Sequence, residues 1–233
     1  MKGHVRIMML VAGILSWVGY SLGRYRAFGV PLDVVAIVGS LAVTPWMVWD
    51  GWRYGYDWSH VLIVLLSLLV FVALLLLRRK QYVVFRLTPF TIPPGVRELA
   101  PEEQVRARVT GYLGVQGQRH HFAGVPALFQ TTELRDHIVM AEFPARRSLG
   151  AVRPEAGARG WWYAFISPKK VRSIQWARLF HGFARRQVIR VRYSMEGGKE
   201  NTLFLGFDAP EDFALIAREL CSRSGIMGSP NAT

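Results

Sequence analysis

The sequence contains a single cysteine, Cys221, among its 233 residues, and one cysteine cannot form a disulfide bond within the chain. The domain that carries it is therefore expected to fold in a reducing compartment without covalent cross-links. Cys221 lies in a stretch with helical periodicity, and we interpret it as a small core residue rather than a nucleophile.

The sequence also lacks the short motifs of the common enzyme classes. It has no P-loop, dinucleotide fingerprint, nucleophile elbow or HExxH pattern. His120 and His121 are adjacent, so regular strand geometry would point them to opposite faces, away from a shared ion. We predict no catalytic residue, no metal site and no cofactor, and a protein that is not an enzyme.

Acidic residues are scarce relative to basic ones. Asp and Glu number 16 against 29 Lys and Arg, and most of the excess lies after residue 80. Such a surplus favours an anionic neighbour, which beneath a bilayer is the headgroup layer; an ordinary basic, solvated surface is the open alternative. The cations are not gathered into an arm, so we do not expect nucleic acid as a partner.

Long apolar runs are confined to the first third of the chain. Residues 5–22, 28–49 and 58–77 each approach the ~20 residues that a helix needs to cross ~30 Å of hydrocarbon. The third run contains no charge and no helix breaker, whereas Gly13, Gly19 and Gly23 dilute the first. We predict a transmembrane region over residues 1–80 with about three transmembrane helices.

The orientation of these helices follows from the cations in their flanks, because Lys and Arg flanks tend to remain in the cytoplasm. With three spans, five cations fall on one side and three on the other. The larger group includes the topology determinants Arg78, Arg79 and Lys80. We therefore expect the N-terminus to be outside and the C-terminal region to be cytoplasmic, at a bacterial inner or plasma membrane. The C-terminal region stays inside even if the first run is not a span.

Two features of the membrane region carry polar side chains. Asp33 opens the second span, where a carboxylate is costly unless paired, and Arg24 and Arg26 are close enough in sequence to pair with it. The connection WMVWDGWRYGYDWSH is the most aromatic stretch of the chain. Its rings favour an outer interfacial belt, with a docking surface as the alternative.

The region over residues 81–225 changes to a period of two and predicts an antiparallel sheet. In QVIRVRYS, Ile189, Val191 and Tyr193 form one face while Arg190 and Arg192 form the other. The predicted strands cover residues 82–87, 104–115, 127–132, 137–143, 161–166, 171–179, 187–194 and 202–207. After them comes an amphipathic helix with Asp208 as its N-cap and Gly225 as its stop, and residues 226–233 are predicted to be a flexible tail.

The order of these elements resembles the pleckstrin-homology superfold, in its GRAM-like and bacterial branches. The resemblance is carried by WWYAFISPKKVRSIQW, QVIRVRYSMEGGKENTLFLGF and the helix from Asp208. It implies an α+β fold in which an antiparallel β-roll or barrel of about seven strands is closed by one C-terminal helix. It also implies a module that binds lipids, peptides or partner subunits, generally without catalysis.

Guanidinium and ammonium groups are the candidate binding residues, because several on one face can hold phosphate oxygens. Lipid-binding members of the superfold place an Arg-x-Arg on the first hairpin, which Arg106 and Arg108 match. The remaining candidates are Lys169, Lys170, Arg172, Arg185, Arg186, Arg190 and Arg192.

The expected function is a non-catalytic binding or scaffold module beside the inner leaflet, on an integral membrane protein. Its expected partners are the lipid bilayer, anionic lipid headgroups, and other membrane subunits or further copies of the chain. The alternative is an accessory or assembly subunit of a larger membrane complex.

Overall fold

The computed structural model describes residues 2–100, 103–115, 118–130, 138–143, 153–154, 160–165, 167–194 and 198–225. The predicted tail, residues 226–233, lies outside the described residues. The chain divides into two compact units. Unit 1 comprises Met1–Val84, Arg146–Ala156 and Phe180–Ala184, and unit 2 comprises Phe85–Ala145, Gly157–Leu179 and Arg185–Thr233.

Unit 1 contains three long apolar helices, α1 (Lys2–Gly23), α2 (Leu32–Tyr54) and α3 (Trp58–Arg79). Each is long and apolar enough to cross a membrane, which confirms the prediction of three such segments. Asp57 caps α3 by accepting a hydrogen bond from the His60 amide at 3.0 Å.

The second and third helices form an antiparallel hairpin. Asp33 at the start of α2 contacts Arg78 at the end of α3, and Thr44 meets Ser67 midway at 3.3 Å. Between α1 and α2 the chain makes a small turn from β1 (Tyr25–Ala27) to β2 (Val30–Pro31), and β1 also pairs with β7 (Arg153–Pro154).

Unit 2 is built on a sheet whose strand order is β3-β9-β10-β11-β4-β5-β6-β8. All the pairs from β10 along this order to β8 are antiparallel, as predicted. The order is open, and among the described strands no pairing joins β3 to β8, so the predicted closed barrel is not shown. The strands are β3 (Val84–Leu87), β4 (Gln104–Val115), β5 (Gln118–Gln130), β6 (Ile138–Phe143), β8 (Gly160–Phe165), β9 (Val171–His181), β10 (Ala184–Ser194) and β11 (Glu200–Phe207).

The helix α4 (Pro210–Ser224) covers one face of this sheet. Its predicted apolar stripe is confirmed, because Phe213, Ile216, Ala217 and Leu220 are all buried in the core of unit 2. The core also receives the alternate side chains Ile189, Val191 and Tyr193 of β10 together with Leu203 and Leu205 of β11.

The start of α4 differs from the prediction, while its end agrees. Ala209 occupies the N-cap position without a side-chain hydrogen bond, and Asp208 forms an ion pair with Arg186 instead of capping the helix. Gly225 ends the helix in a left-handed conformation with φ of 64°, which glycine adopts at little cost. Glu219, buried within α4, accepts the Leu99 amide at 2.6 Å and ties the preceding segment to the helix.

Candidate functional site

Three arginines of β9 and β10 form side-chain hydrogen bonds with residues of the facing strand, and we call Arg172, Arg190 and Arg192 the basic strip. Arg192 donates through Nε to Ser173 Oγ at 3.0 Å, and Arg172 donates through Nε to Ser194 Oγ at 3.0 Å. Arg190 donates through Nη2 to Gln175 Oε1. The two strands therefore hold their guanidinium groups by hydrogen bonds across the pair.

The strip is a direct result of the alternation of β10. Ile189 and Val191 are fully buried and Tyr193 is nearly so, whereas Arg190 is half-buried and Arg192 exposed. Successive side chains of a strand point to opposite faces, so burial of the apolar set places both arginines on the other face. The split predicted for QVIRVRYS is thus confirmed.

Arg190 is the least solvated cation of the strip. Its guanidinium carbon lies 4.7 Å from the centroid of the Phe85 ring, and its Nε is buried without a hydrogen-bond partner. Burial lowers the pKa of Arg190, and the neighbouring charge of Arg192 lowers it further. Both effects disfavour the charged form, so a bound anion would relieve them.

The hydrogen-bond partners of the basic strip are neutral, whereas four other arginines of unit 2 have carboxylate partners. Four arginines elsewhere in the unit form ion pairs: Arg97 with Glu103, Arg186 with Asp208, Arg218 with Glu98, and Arg223 with Glu219. Among the described residues, no carboxylate forms an ion pair with the three guanidinium groups of the strip. The nearest acidic residue by register is Glu200, which faces Ser194 across the β10–β11 pair.

Two further predicted residues lie beside the strip. Lys169 and Lys170 occupy a 3₁₀ turn, Pro168–Lys170, that leads directly into β9, and both side chains are exposed. Because Arg172 follows two residues later, five of the nine predicted cations gather at one end of the β9–β10 pair.

Of the other four predicted cations, Arg185 and Arg186 lie at the start of β10, and Arg106 and Arg108 lie near the start of β4, which is separated from β10 by β11. Arg186 is ion-paired with Asp208, whose amide bonds the Arg108 carbonyl at 3.2 Å. Arg192 faces Thr202 across the β10–β11 pair, and Thr202 lies six residues before Asp208 in the sequence. At about 3.3 Å per residue, Arg186 and Arg192 are therefore about 20 Å apart along the strand. Arg106, Arg108, Arg185 and Arg186 therefore do not share a site with the basic strip.

A second polar cluster lies within unit 1, at the carboxyl end of α3. Asp33 is only 2% exposed, and its Oδ2 accepts hydrogen bonds from Arg78 Nη1 and from the Tyr82 hydroxyl at 2.6 Å. Its Oδ1 accepts the Val34 amide at 2.9 Å. Burial, followed by the hydrogen bond to Asp33, raises the pKa of Tyr82, so its hydroxyl keeps its proton and acts as a donor.

The ion pair predicted for Asp33 exists, but its cation is Arg78 and not Arg24, one of the two arginines predicted to pair with it. Arg78 lies 45 residues away from Asp33 in the sequence. The guanidinium of Arg24 lies 5.4 Å from the Tyr20 ring centroid, and its Nη1 has no hydrogen-bond partner. The sequence did not predict the role of Tyr82. Tyr82 opens an apolar, β-like run, and Asp33, which accepts its hydrogen bond, is 49 residues away in the sequence.

At the other end of the α2–α3 hairpin, aromatic side chains surround a histidine. Trp52, Tyr54 and Trp58 are more than 70% exposed, as an interfacial belt requires. His60 lies between two carboxylates, with Nδ1 at 2.7 Å from Asp57 Oδ1 and Nε2 at 3.3 Å from Asp50 Oδ2. Sequence reasoning did not single out His60, although its spacing of three residues from Asp57 was visible.

Groups that could act as nucleophiles or metal ligands are poorly placed in the part of the chain that the structure describes. Burial raises the pKa of the Cys221 thiol to about 11 and lowers that of His181 to about 4. No cluster of three or more His, Cys, Asp or Glu side chains within the described ranges is arranged to hold a metal ion. The polar sites found here are suited to binding anions and to fixing helices.

Comparison with known proteins adds no relative. No family model matches the chain, and neither a curated protein nor a solved structure is significantly similar to it.

Proposed function

We propose that the chain is a non-catalytic integral membrane protein whose unit 2 is a pleckstrin-homology-like module that binds anionic lipid headgroups in the inner leaflet. The single observation that carries the proposal is the basic strip, three guanidinium groups on paired strands whose hydrogen bonds go to Ser and Gln. A phosphate oxygen would supply the negative charge that these partners lack.

The path of the chain supports a ligand at the membrane surface. Arg79 is the last residue of α3, and Val84 is the first residue of β3, so four residues connect the helix to the sheet. A linker of that length keeps unit 2 within reach of the headgroups, where each cation contributes about 1 kcal/mol of attraction to an anionic leaflet. The cations Arg78, Arg79 and Lys80 favour a cytoplasmic location for this end of α3.

The resemblance to the pleckstrin-homology superfold supports the same proposal. The resemblance rests on the run of antiparallel strands and on the amphipathic α4, which packs against one face of the sheet. A module of this kind binds through surface cations and needs no catalytic group.

The test is native mass spectrometry of the full chain in neutral detergent, with phosphatidylglycerol or phosphatidylcholine added at increasing mole fractions. We expect the protein to retain phosphatidylglycerol in preference, and to lose that preference as salt is raised. In the double variant Arg190→Gln/Arg192→Gln, two attractions of about 1 kcal/mol each are lost, so the preference should fall by about 30-fold.

The matched control is Arg106→Gln/Arg108→Gln, which removes the same charge from exposed side chains elsewhere on the sheet. It should retain the preference of the wild-type chain. Equal retention of the two lipids by the wild-type protein would refute the proposal. Equal losses of the phosphatidylglycerol preference in both double variants would show that the attraction is a non-specific effect of charge.

A second function is favoured by the exposed rings at the α2–α3 connection. Trp46, Trp49 and Tyr56 are each more than half exposed, in addition to the three side chains named above. Such a surface suits an accessory subunit that docks onto neighbouring helices of a membrane complex. Purification of the full chain in mild detergent tests this function. Co-purification of a stoichiometric partner that the double variant Trp52→Ala/Trp58→Ala loses would support it. Recovery of the chain alone would contradict it.

A further inference from the structure

The buried face of α1 is a narrow stripe of small and polar residues. Gly13, Ser16, Gly19 and Tyr20 are buried, at spacings from Ser16 of three and four residues that place them on one side of the helix. The residues of α1 from Gly3 to Met8 are all exposed. Only the second half of the helix is therefore packed against the rest of unit 1.

Two residues of this stripe, Ser16 and Gly19, contact a residue that lies beyond the end of α3. Ser16 donates its hydroxyl hydrogen to the carbonyl of Tyr82, and a methyl group at Gly19 would overlap the Tyr82 ring. Tyr82 lies three residues past the end of α3, and its amide bonds the Leu77 carbonyl at 2.7 Å. The middle of α1 is thus at the level where α3 leaves the membrane.

The tip of the β9–β10 hairpin, Phe180–Ala184 of unit 1, contacts α1 even nearer its midpoint. The Gly182 amide donates to the Gly13 carbonyl at 3.0 Å, and Gly182 lies beside the Trp17 ring. Phe183 at this tip is 79% exposed. Irregular backbone does not face lipid within the hydrocarbon, because its polar groups have no water to bond. Residue 13 of α1 therefore lies at the membrane surface.

From these contacts we infer that α1 lies along the membrane face on which α3 ends, with its exposed side in that leaflet, and that only α2 and α3 cross the bilayer. From Gly13 to Gly23, α1 runs about 15 Å beside residues at or past the end of α3. Residues 3–12 extend only about 15 Å, half of the ~30 Å of hydrocarbon. The helix is long enough to cross a membrane, but not from this position.

The charge distribution independently favours two crossings. With three spans the flanking Lys and Arg divide five against three, whereas with two spans they divide seven against one, Arg53 standing alone. The positive-inside tendency is then satisfied far better. The occupant of the exposed apolar side of α1, including Ile7, Met8 and Trp17, is the lipid of the same leaflet, since the exposed Arg6 beside it suits anionic headgroups.

Single cysteines in the full chain test the inference, in a Cys221→Ala background that removes the one native thiol. Gly3→Cys reports on α1, Tyr54→Cys on the α2–α3 connection and Lys199→Cys on unit 2. A membrane-impermeant maleimide is applied to intact and then to permeabilised cells. We expect Tyr54→Cys to be labelled in intact cells, and Gly3→Cys and Lys199→Cys only after permeabilisation. Arg6→Cys replaces Gly3→Cys if that variant does not accumulate.

The inference rests on the membrane location in the proposed function, but the two fail differently. Labelling of Gly3→Cys together with Tyr54→Cys, while Lys199→Cys stays protected, would overturn the inference and restore three crossings. Labelling of both Gly3→Cys and Lys199→Cys in intact cells would support two crossings and refute the cytoplasmic placement of unit 2.

Discussion

Removal of one hydroxyl group, in Tyr82→Phe, should measurably loosen the junction between the membrane helices. The Tyr82 side chain is 6% exposed, and its hydroxyl donates to a carboxylate, that of Asp33, which is itself 2% exposed. A hydrogen bond to a charged group contributes about 1.5–3 kcal/mol, and burial of both partners places this one in the upper half of that range. We expect a loss of about 2–3 kcal/mol, or about 30- to 150-fold in the unfolding equilibrium.

The assay is equilibrium unfolding of the full chain in mild detergent, followed by circular dichroism at constant pH. Tyr54→Phe is the control, because that ring is 73% exposed and the substitution removes the same atom. Arg78→Gln removes the other donor to the same carboxylate oxygen, so its effect and that of Tyr82→Phe should be coupled by about 0.5–3 kcal/mol. If Tyr82→Phe falls within about 0.5 kcal/mol of the control, the hydroxyl does not stabilise the junction and the reasoning is refuted.

Three further perturbations have expected outcomes. Gly19→Ala should destabilise the chain by about 1–3 kcal/mol, because the added methyl group would overlap the Tyr82 ring. The control Gly39→Ala adds a methyl group in open space and should leave the stability unchanged. Equal unfolding midpoints for the two variants would contradict the packing of α1 against Tyr82. Cys221, with a pKa of about 11, should resist a thiol reagent at pH 8 until the protein unfolds, and rapid labelling of the native chain would contradict its burial. His181 has a pKa of about 4 in the folded chain, below the ordinary 6.5, so the unfolded chain binds the proton at a higher pH than the folded chain does. The free energy of unfolding should therefore fall as pH drops from about 6.5 towards 4. His181→Gln should flatten that part of the pH profile, and an unchanged slope would contradict the burial of His181.

Much of the fold could be predicted because two periodicities are written plainly in the sequence. The alternation of Ile189, Val191 and Tyr193 with arginines identifies a half-buried strand, and the stripe from Phe213 to Leu220 identifies α4. The fifth strand was harder: the prediction of residues 127–132 misses most of Gln118–Gln130. Pro126 faces Arg108 inside that strand, and a proline is normally a sign that a strand has ended.

The candidate site was predictable in composition but not in grouping. The sequence identifies nine cations, yet only the contacts between neighbouring strands show that Arg172 reaches Ser194 and that Arg186 is paired with Asp208. Contacts over long sequence separations follow from tertiary packing, and the pairing of Asp33 with Arg78 is one of them. A local search for partners therefore selects the wrong cation.

The glycines of α1 show how one pattern supports two opposite interpretations. Hydropathy counts Gly13 and Gly19 as weaknesses in a membrane span, since they contribute little apolar surface. In the structure they are the positions at which another backbone or ring comes close: Gly182 bonds to Gly13, and Tyr82 covers Gly19. Close approach to small residues requires a protein partner on that face, and these partners follow the end of α3. Under the two-crossing inference, packing at that level sets the depth of α1 in the membrane, and the length of the helix does not. Hydropathy registers only length and apolar composition, so hydropathy alone assigns α1 a crossing.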